Sequence, residues 1–161
     1  MIPFIDLGAQ QARIRDRIDR EIAAVLDHGA YIMGPEVTAI ETRLAEAAST
    51  RHCISCSSGT DALILALLAH GLRPGQGVIV PSFTFAASAE VMPVLGAVPV
   101  FAEVDAATFN LDPSRLDDAL QAGREADIEI VGIIGVGLFG QPADYNAIQA
   151  FASEHGMWVI D

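Results

Sequence analysis

Between Cys53 and Asp161 short apolar runs alternate with helix-patterned segments. The runs are CISC (53–56), GVIVP (77–81), VPVFAEV (98–104), IEIVGIIGV (128–136) and MWVID (157–161). Runs this uniformly apolar predict strands buried on both faces, and such strands need a parallel sheet covered by helices. Parallel neighbours are joined by crossovers, and each intervening segment supplies one: SSGTDALILALLAHG, TFAASAEVMPVLG, DPSRLDDALQAG and PADYNAIQAFASEHG. The expected fold is therefore α/β, a mostly parallel sheet of five strands flanked by helices.

The first fifty residues follow another rule. Ile14, Ile18, Ile22, Val25 and Leu26 recur at helical spacing among Arg and Asp, which predicts an amphipathic helix stopping at Gly29. A turn, AYIMGPE, leads to a second helix from Pro35 to Ala48, with Pro35 in its first turn. Residues 1–50 thus read as a helical N-terminal segment and residues 51–161 as the α/β domain.

Charge and composition exclude several functions. Acidic residues outnumber basic ones 21 to 9, a formal net charge of -12, and no basic cluster offsets it, so nucleic acid and anionic membranes are not expected partners. The most apolar stretch, 74–102, is broken by Pro81, Pro93 and Pro99, whereas a spanning helix needs about 20 continuous apolar residues. The N-terminus lacks a signal-peptide pattern and two cysteines make no disulfide framework, so a cytoplasmic location is expected. Cys53 and Cys56 are formally C-x-x-C, but no second pair completes a zinc set, and they read as small core residues. No metal site is expected. His28, His70 and His155 each fall near a helix C-terminus, where a cation is favoured.

Three motifs could carry chemistry. SSGTDAL (57–63) lies between a predicted strand and a helix start. Gly59 would let a ligand approach the backbone, and Ser58, Thr60 and the free first-turn N–H groups could hold a phosphate. The same residues also suit a plain N-cap, made by Ser58 or Thr60. PSFTFAAS (81–88) sets Phe83 and Phe85 at a strand end, where they could stack on a flat ring or pack in the core. GVGLFG (135–140) is a literal G-x-G-x-x-G with Asp161 21 residues beyond, the spacing of a dinucleotide fingerprint. Pro142 counters that reading, since it starts the helix after the third glycine.

Taken together, FIDLGAQQARIRDRID, VLDHGAYIMGPEVTAIETRLAEA, CISCSSGTDALILAL, VIVPSFTFAASAEVMPVLGAVPVFAEVDAATFNLDP and GLFGQPADYNAIQAFASEHGMWVID resemble the sugar aminotransferases of the DegT/DnrJ type. These are fold-type-I pyridoxal 5'-phosphate enzymes, and the likeness runs along the whole chain. Within that family it points to enzymes that aminate a 3-keto UDP-N-acetylglucosaminuronic acid for bacterial surface polysaccharide, including lipopolysaccharide. It implies a nucleotide-sugar substrate, an amino-acid donor such as glutamate, and a homodimer.

The resemblance also implies roles. Ser58, Gly59 and Thr60, with the backbone at Asp61, would cradle the cofactor phosphate, and Phe85 would stack on the pyridine ring. Gly29, Tyr31 and Gly34 would lie near the substrate, close to the partner subunit. The strand ending at Asp161 would deliver the carboxylate that keeps the pyridine nitrogen protonated. The family usually reads V-I-E/D-D-A-A-Q there. Asp161 aligns with the first acidic position, which leaves that role either to it or to the residue after it. Gly137 stands where many members have His. All nine basic residues are Arg, so the Schiff-base lysine of the family is absent. Family members are longer, and the expectation is an N-terminal portion of one: an incomplete large domain, inactive alone and prone to aggregate through an uncovered apolar edge. Rival readings are a non-catalytic phosphate-binding module and a dinucleotide-dependent oxidoreductase built on Gly135–Gly140.

Overall fold

The computed structural model describes residues 4–161, which divide into two compact units, the first ending at Ser55 and the second running Cys56–Asp161.

The first unit holds α1 (Leu7–His28) and α2 (Pro35–Ala47). The Asp6 side chain accepts from the Ala9 N–H and caps α1. Gly29 ends α1 with φ +68, a left-handed conformation that glycine adopts without steric cost. Pro35 opens α2 directly after Gly34. The segment beyond α2 corrects an expectation, because CISC forms no strand. Its Ser55 N–H and hydroxyl both donate to Glu41 Oε1, at 2.8 and 2.7 Å, so a side chain uses the donors that a sheet ladder would need. Ile54 is 84% exposed, Cys56 is exposed and Cys53 half-buried, so neither cysteine is a core residue.

The second unit is α3 (Gly59–Ala69), β1 (Gly77–Pro81), α4 (Ala87–Val94), β2 (Val98–Ala102), α5 (Leu116–Glu125), β3 (Ile130–Ile134), α6 (Tyr145–Glu154) and β4 (Trp158–Ile160). Short 3-10 turns at Pro113–Arg115 and Leu138–Gly140 complete it. Among the described residues the sheet has four strands, not five, in the order β2-β1-β3-β4 with every pairing parallel.

The strands' two-residue period sorts the core into two layers. Val78, Val80 and Ile134 pack with Leu67, Val91 and Met92 from α3 and α4. Ile79, Val100 and Ile133 face the other way, toward Leu116, Leu120, Ile148 and Ala152 from α5 and α6. Only β1 is buried at every residue; Phe101 on β2 is exposed and β4 is half-buried, because both strands lie at edges. The topology positions the site. The chain leaves β1 for β2 on one side, then returns past β1 to β3 on the other. The loops after β1 and β3 therefore diverge, which opens the crevice at strand carboxyl ends where open α/β sheets take their ligands.

Candidate functional site

The start of α3 is built by its own sequence. Ser58 is extended and its Oγ accepts from the Asp61 N–H at 3.1 Å, so Ser58 is the N-cap. That bond engages the Asp61 N–H, so this donor of the expected phosphate cradle is already in use. The N–H groups of Gly59 and Thr60 meet no acceptor among the described residues. A Cβ placed on Gly59 would meet nothing within 4 Å, so the approach to these donors is open. The Asp61 carboxylate accepts from the Ser57 hydroxyl and from the Ser58 hydroxyl, the latter at 2.9 Å. These two donors, Ser57 first, hold its carboxyl below the usual range. Two free N–H groups at the positive end of an eleven-residue helix, with the Thr60 hydroxyl beside them, are a donor set that fits a phosphate.

α3 leads through a short turn into β1, so its N-terminus lies toward the strands' carboxyl edge. The loop after β1 leaves from that edge. Its Phe85 is 76% exposed and Phe83 is exposed too, so neither ring belongs to the core. At the far side of the crevice Asp161 follows β4, and the Tyr145 hydroxyl donates to its carboxylate. Burial first, then Asp161, pushes the Tyr145 phenol above its ordinary range, so Tyr145 keeps its proton. The ring reaches there because residue 135 is Gly: a Cβ on Gly135 would stand 2.6 Å from the Tyr145 ring. Gly135–Gly140 does not form a dinucleotide turn. The loop closes in a 3-10 turn with Phe139 left-handed, and α6 starts only at Tyr145 behind the Asp144 cap, so the third glycine does not open the helix.

Ser58, Gly59, Thr60, Asp61, Phe85 and Asp161 thus belong to one unit and to one edge of its sheet. Gly29, Tyr31 and Gly34 belong to the first unit. There the Tyr31 N–H donates to the Gly29 carbonyl, and Tyr31 is exposed. The His28 Nδ1 accepts from the Ala30 N–H at 3.0 Å while Nε2 lies 3.0 Å from Glu36 Oε1, which fixes the turn. That donor holds the Glu36 carboxyl below its usual range. Among the described residues no group of His, Cys, Asp and Glu could hold a metal, and no helix is long and apolar enough to cross a membrane. Asn110, Tyr145 and Glu41 were not singled out by sequence reasoning. Their partners lie 14 to 32 residues away, and no local spacing marks them.

A parallel sheet in the order β2-β1-β3-β4 with helices on both faces defines the chain's class as a doubly wound α/β protein. Residues 12–161 match the DegT/DnrJ/EryC1/StrS aminotransferase family, and the chain belongs to it. It is 50% identical over 161 residues to the UDP-2-acetamido-2-deoxy-3-oxo-D-glucuronate aminotransferase of Pseudomonas aeruginosa, covering 100% of this chain and 43% of that protein. A DegT DnrJ EryC1 StrS aminotransferase from Brucella abortus superposes with a TM-score of 0.95 at 46% identity, over 99% of this chain and 43% of that one. NtdA from Bacillus subtilis, solved with bound cofactor PMP, superposes with a TM-score of 0.89 at 29% identity, over 98% of this chain and 35% of that one. The chain therefore spans less than half the length of these relatives.

Proposed function

We propose that the whole protein carrying this chain is a pyridoxal-phosphate-dependent aminotransferase that moves an amino group from glutamate to the keto group of a UDP-linked 3-keto-glucuronate sugar. The observation that carries this reading is the unbroken likeness, at 50% identity over 161 residues, to the Pseudomonas aeruginosa enzyme of that substrate class. The structural relative with bound PMP supports the cofactor.

In this reading the Gly59 and Thr60 N–H groups and the Thr60 hydroxyl hold the cofactor phosphate against the positive end of α3. Ser58 shapes that turn as its cap, and Asp61 keeps the Ser57 and Ser58 hydroxyls oriented. Phe85 would pack against the pyridine ring and shield it from water. The acidic end of β4, Asp161 or the residue after it, pairs with the ring nitrogen and keeps a proton on it, with Tyr145 orienting Asp161. When bound, the cofactor supplies an electron sink for the pair released at the amino-bearing carbon. Gly29, Tyr31 and Gly34 contact the sugar nucleotide beside the partner subunit of a homodimer. The product serves surface-polysaccharide synthesis, lipopolysaccharide included, in the cytoplasm. The Schiff-base lysine comes from outside residues 1–161, so these residues alone turn nothing over.

The test is a titration of the whole apoprotein with pyridoxal phosphate, for the unsubstituted protein and Thr60→Ala. A hydroxyl bond to a dianionic phosphate is worth about 1.5–3 kcal/mol, so Thr60→Ala weakens binding by roughly ten- to a hundredfold. An unchanged dissociation constant makes this turn a plain helix cap, and no uptake by the unsubstituted protein overturns the function.

A further inference from the structure

Asn110 is 4% exposed, and both ends of its amide are used. Its Nδ2 donates to the Gln141 and Pro142 carbonyls at 2.9 and 3.1 Å, and its Oδ1 accepts from the Leu138 N–H at 3.0 Å. Asn110 follows β2, whereas Leu138–Pro142 follow β3. Because β1 lies between those strands, this one side chain ties together the two loops that flank the loop after β1.

The clamp is itself held. Asp105 Oδ1 accepts from the Ala107 and Thr108 N–H groups at 3.1 and 2.8 Å. The Asp105 N–H donates to the Asn110 carbonyl at 2.9 Å, and the Phe109 N–H to the Asp105 carbonyl at 2.8 Å. Next to the clamp stand two aromatic residues with left-handed backbone, Phe109 at φ +61 and Phe139 at φ +57. Such a conformation persists in a bulky residue only where its surroundings over-determine it. Here the rings are exposed, so burial does not impose it; each residue instead sits beside a group that the Asn110 side chain or a local turn bond holds. The two rings meet edge to face at 6.2 Å, and Phe109 lies 5.7 Å from Phe83, two residues before Phe85.

We infer that Asn110 is a positioning residue: by pinning Leu138–Pro142 it holds Phe139, Phe109 and Phe83 as a row that sets the loop presenting Phe85 to the cofactor ring. The inference rests on the proposed cofactor role of Phe85. It predicts an effect on the ring and not on the phosphate, which binds at α3.

The experiment compares the unsubstituted whole protein with Asn110→Ala and Asn110→Asp. Three quantities are measured: affinity for pyridoxal phosphate, affinity for inorganic phosphate as competitor, and hydrogen exchange of the Leu138 amide. Asn110→Ala weakens pyridoxal phosphate binding about tenfold, the scale of one or two lost hydrogen bonds, leaves inorganic phosphate unchanged and speeds Leu138 exchange. Asn110→Asp keeps an acceptor for Leu138, so its exchange stays slow. It cannot donate to Gln141 and Pro142, so pyridoxal phosphate binding still weakens. Should Asn110→Ala not fold, the Asp variant decides by the same comparison of the two probes. Equal loss of both probes shows a merely structural role and overturns the inference. So does unchanged pyridoxal phosphate affinity beside a freed Leu138 amide. No uptake by the unsubstituted protein overturns the proposed function, and this inference with it.

Discussion

The two units satisfy the same chain chemistry in opposite ways. α1 and α2 have no buried residue, and Ile14, Ile22 and Leu26 stay exposed. Their order comes from neighbours in sequence: the Asp6 cap, the Arg15–Asp19 pair at 2.8 Å one turn apart, the His28–Glu36 contact and the Gly29 stop. The second unit places Val78, Ile79, Val80 and Ile133 at zero exposure between two helical layers. A helix closes its backbone hydrogen bonds internally, whereas a strand closes none, so helices can be written locally and strands only through partners.

This contrast is open to direct attack. The largest expected effect is in hydrogen exchange. Amides of β1 and β3 open only with the whole sheet, so they exchange at least about a thousandfold slower than those at the centre of α1. Equal protection in α1 would show that its apolar face is covered in solution. Next comes truncation of side chains, read by chemical denaturation. Ile133→Ala removes a side chain of 0% exposure and costs about 2–5 kcal/mol. Ile22→Ala acts at 54% exposure and stays within about 0.5 kcal/mol, helped by the higher helix propensity of Ala. A large loss at Ile22 breaks the contrast from the other side.

The smallest effect is a titration within the first unit. The Ser55 N–H, and then its hydroxyl, hold the Glu41 carboxyl below its ordinary value of 4.5. A depressed folded pKa means the tether is present above the unfolded value and is lost as pH falls through the folded one. Protection of the Ser55 amide, the slowing of its exchange relative to an unstructured peptide at the same pH, is therefore expected to fall below pH 4.5. Glu41→Gln, which cannot ionise, removes that dependence, and a pH-dependent Ser55 in this variant assigns the effect elsewhere.

The comparison also explains what could be read from the chain alone. GVIVP was legible as β1 over Gly77–Pro81 because every residue is apolar and a strand in mid-sheet is buried on both faces. The α3 cap was legible, as Ser58 or Thr60, because such a cap acts within one turn, and Ser58 takes an N–H three residues away. CISC misled for the complementary reason. It has strand-like composition, but a strand requires a partner ladder, and Glu41, fourteen residues back, took the Ser55 donors instead.

The cofactor-site candidates followed the same division. Ser58–Asp61 and Phe85 could be picked out because motif and position coincide at a strand end or helix start. Which first-turn N–H groups are free, and that Ser58 takes the one on Asp61, was decided by the folded turn. The Gly135–Gly140 spacing suggested a dinucleotide loop, until the late start of α6 and the left-handed Phe139 gave the segment another path. From α3 to β4 the sequence by itself determined the element order, and with it the helix stops and the parallel α/β class, since periodicity, capping and burial pattern are short-range properties. Only the tertiary structure decided that Asn110 joins two loops 28 to 32 residues apart and that Tyr145 reaches Asp161 over Gly135. Such contacts arise from crossover connections that return distant segments to one sheet edge, and no local pattern in the chain encodes which side chains will meet there.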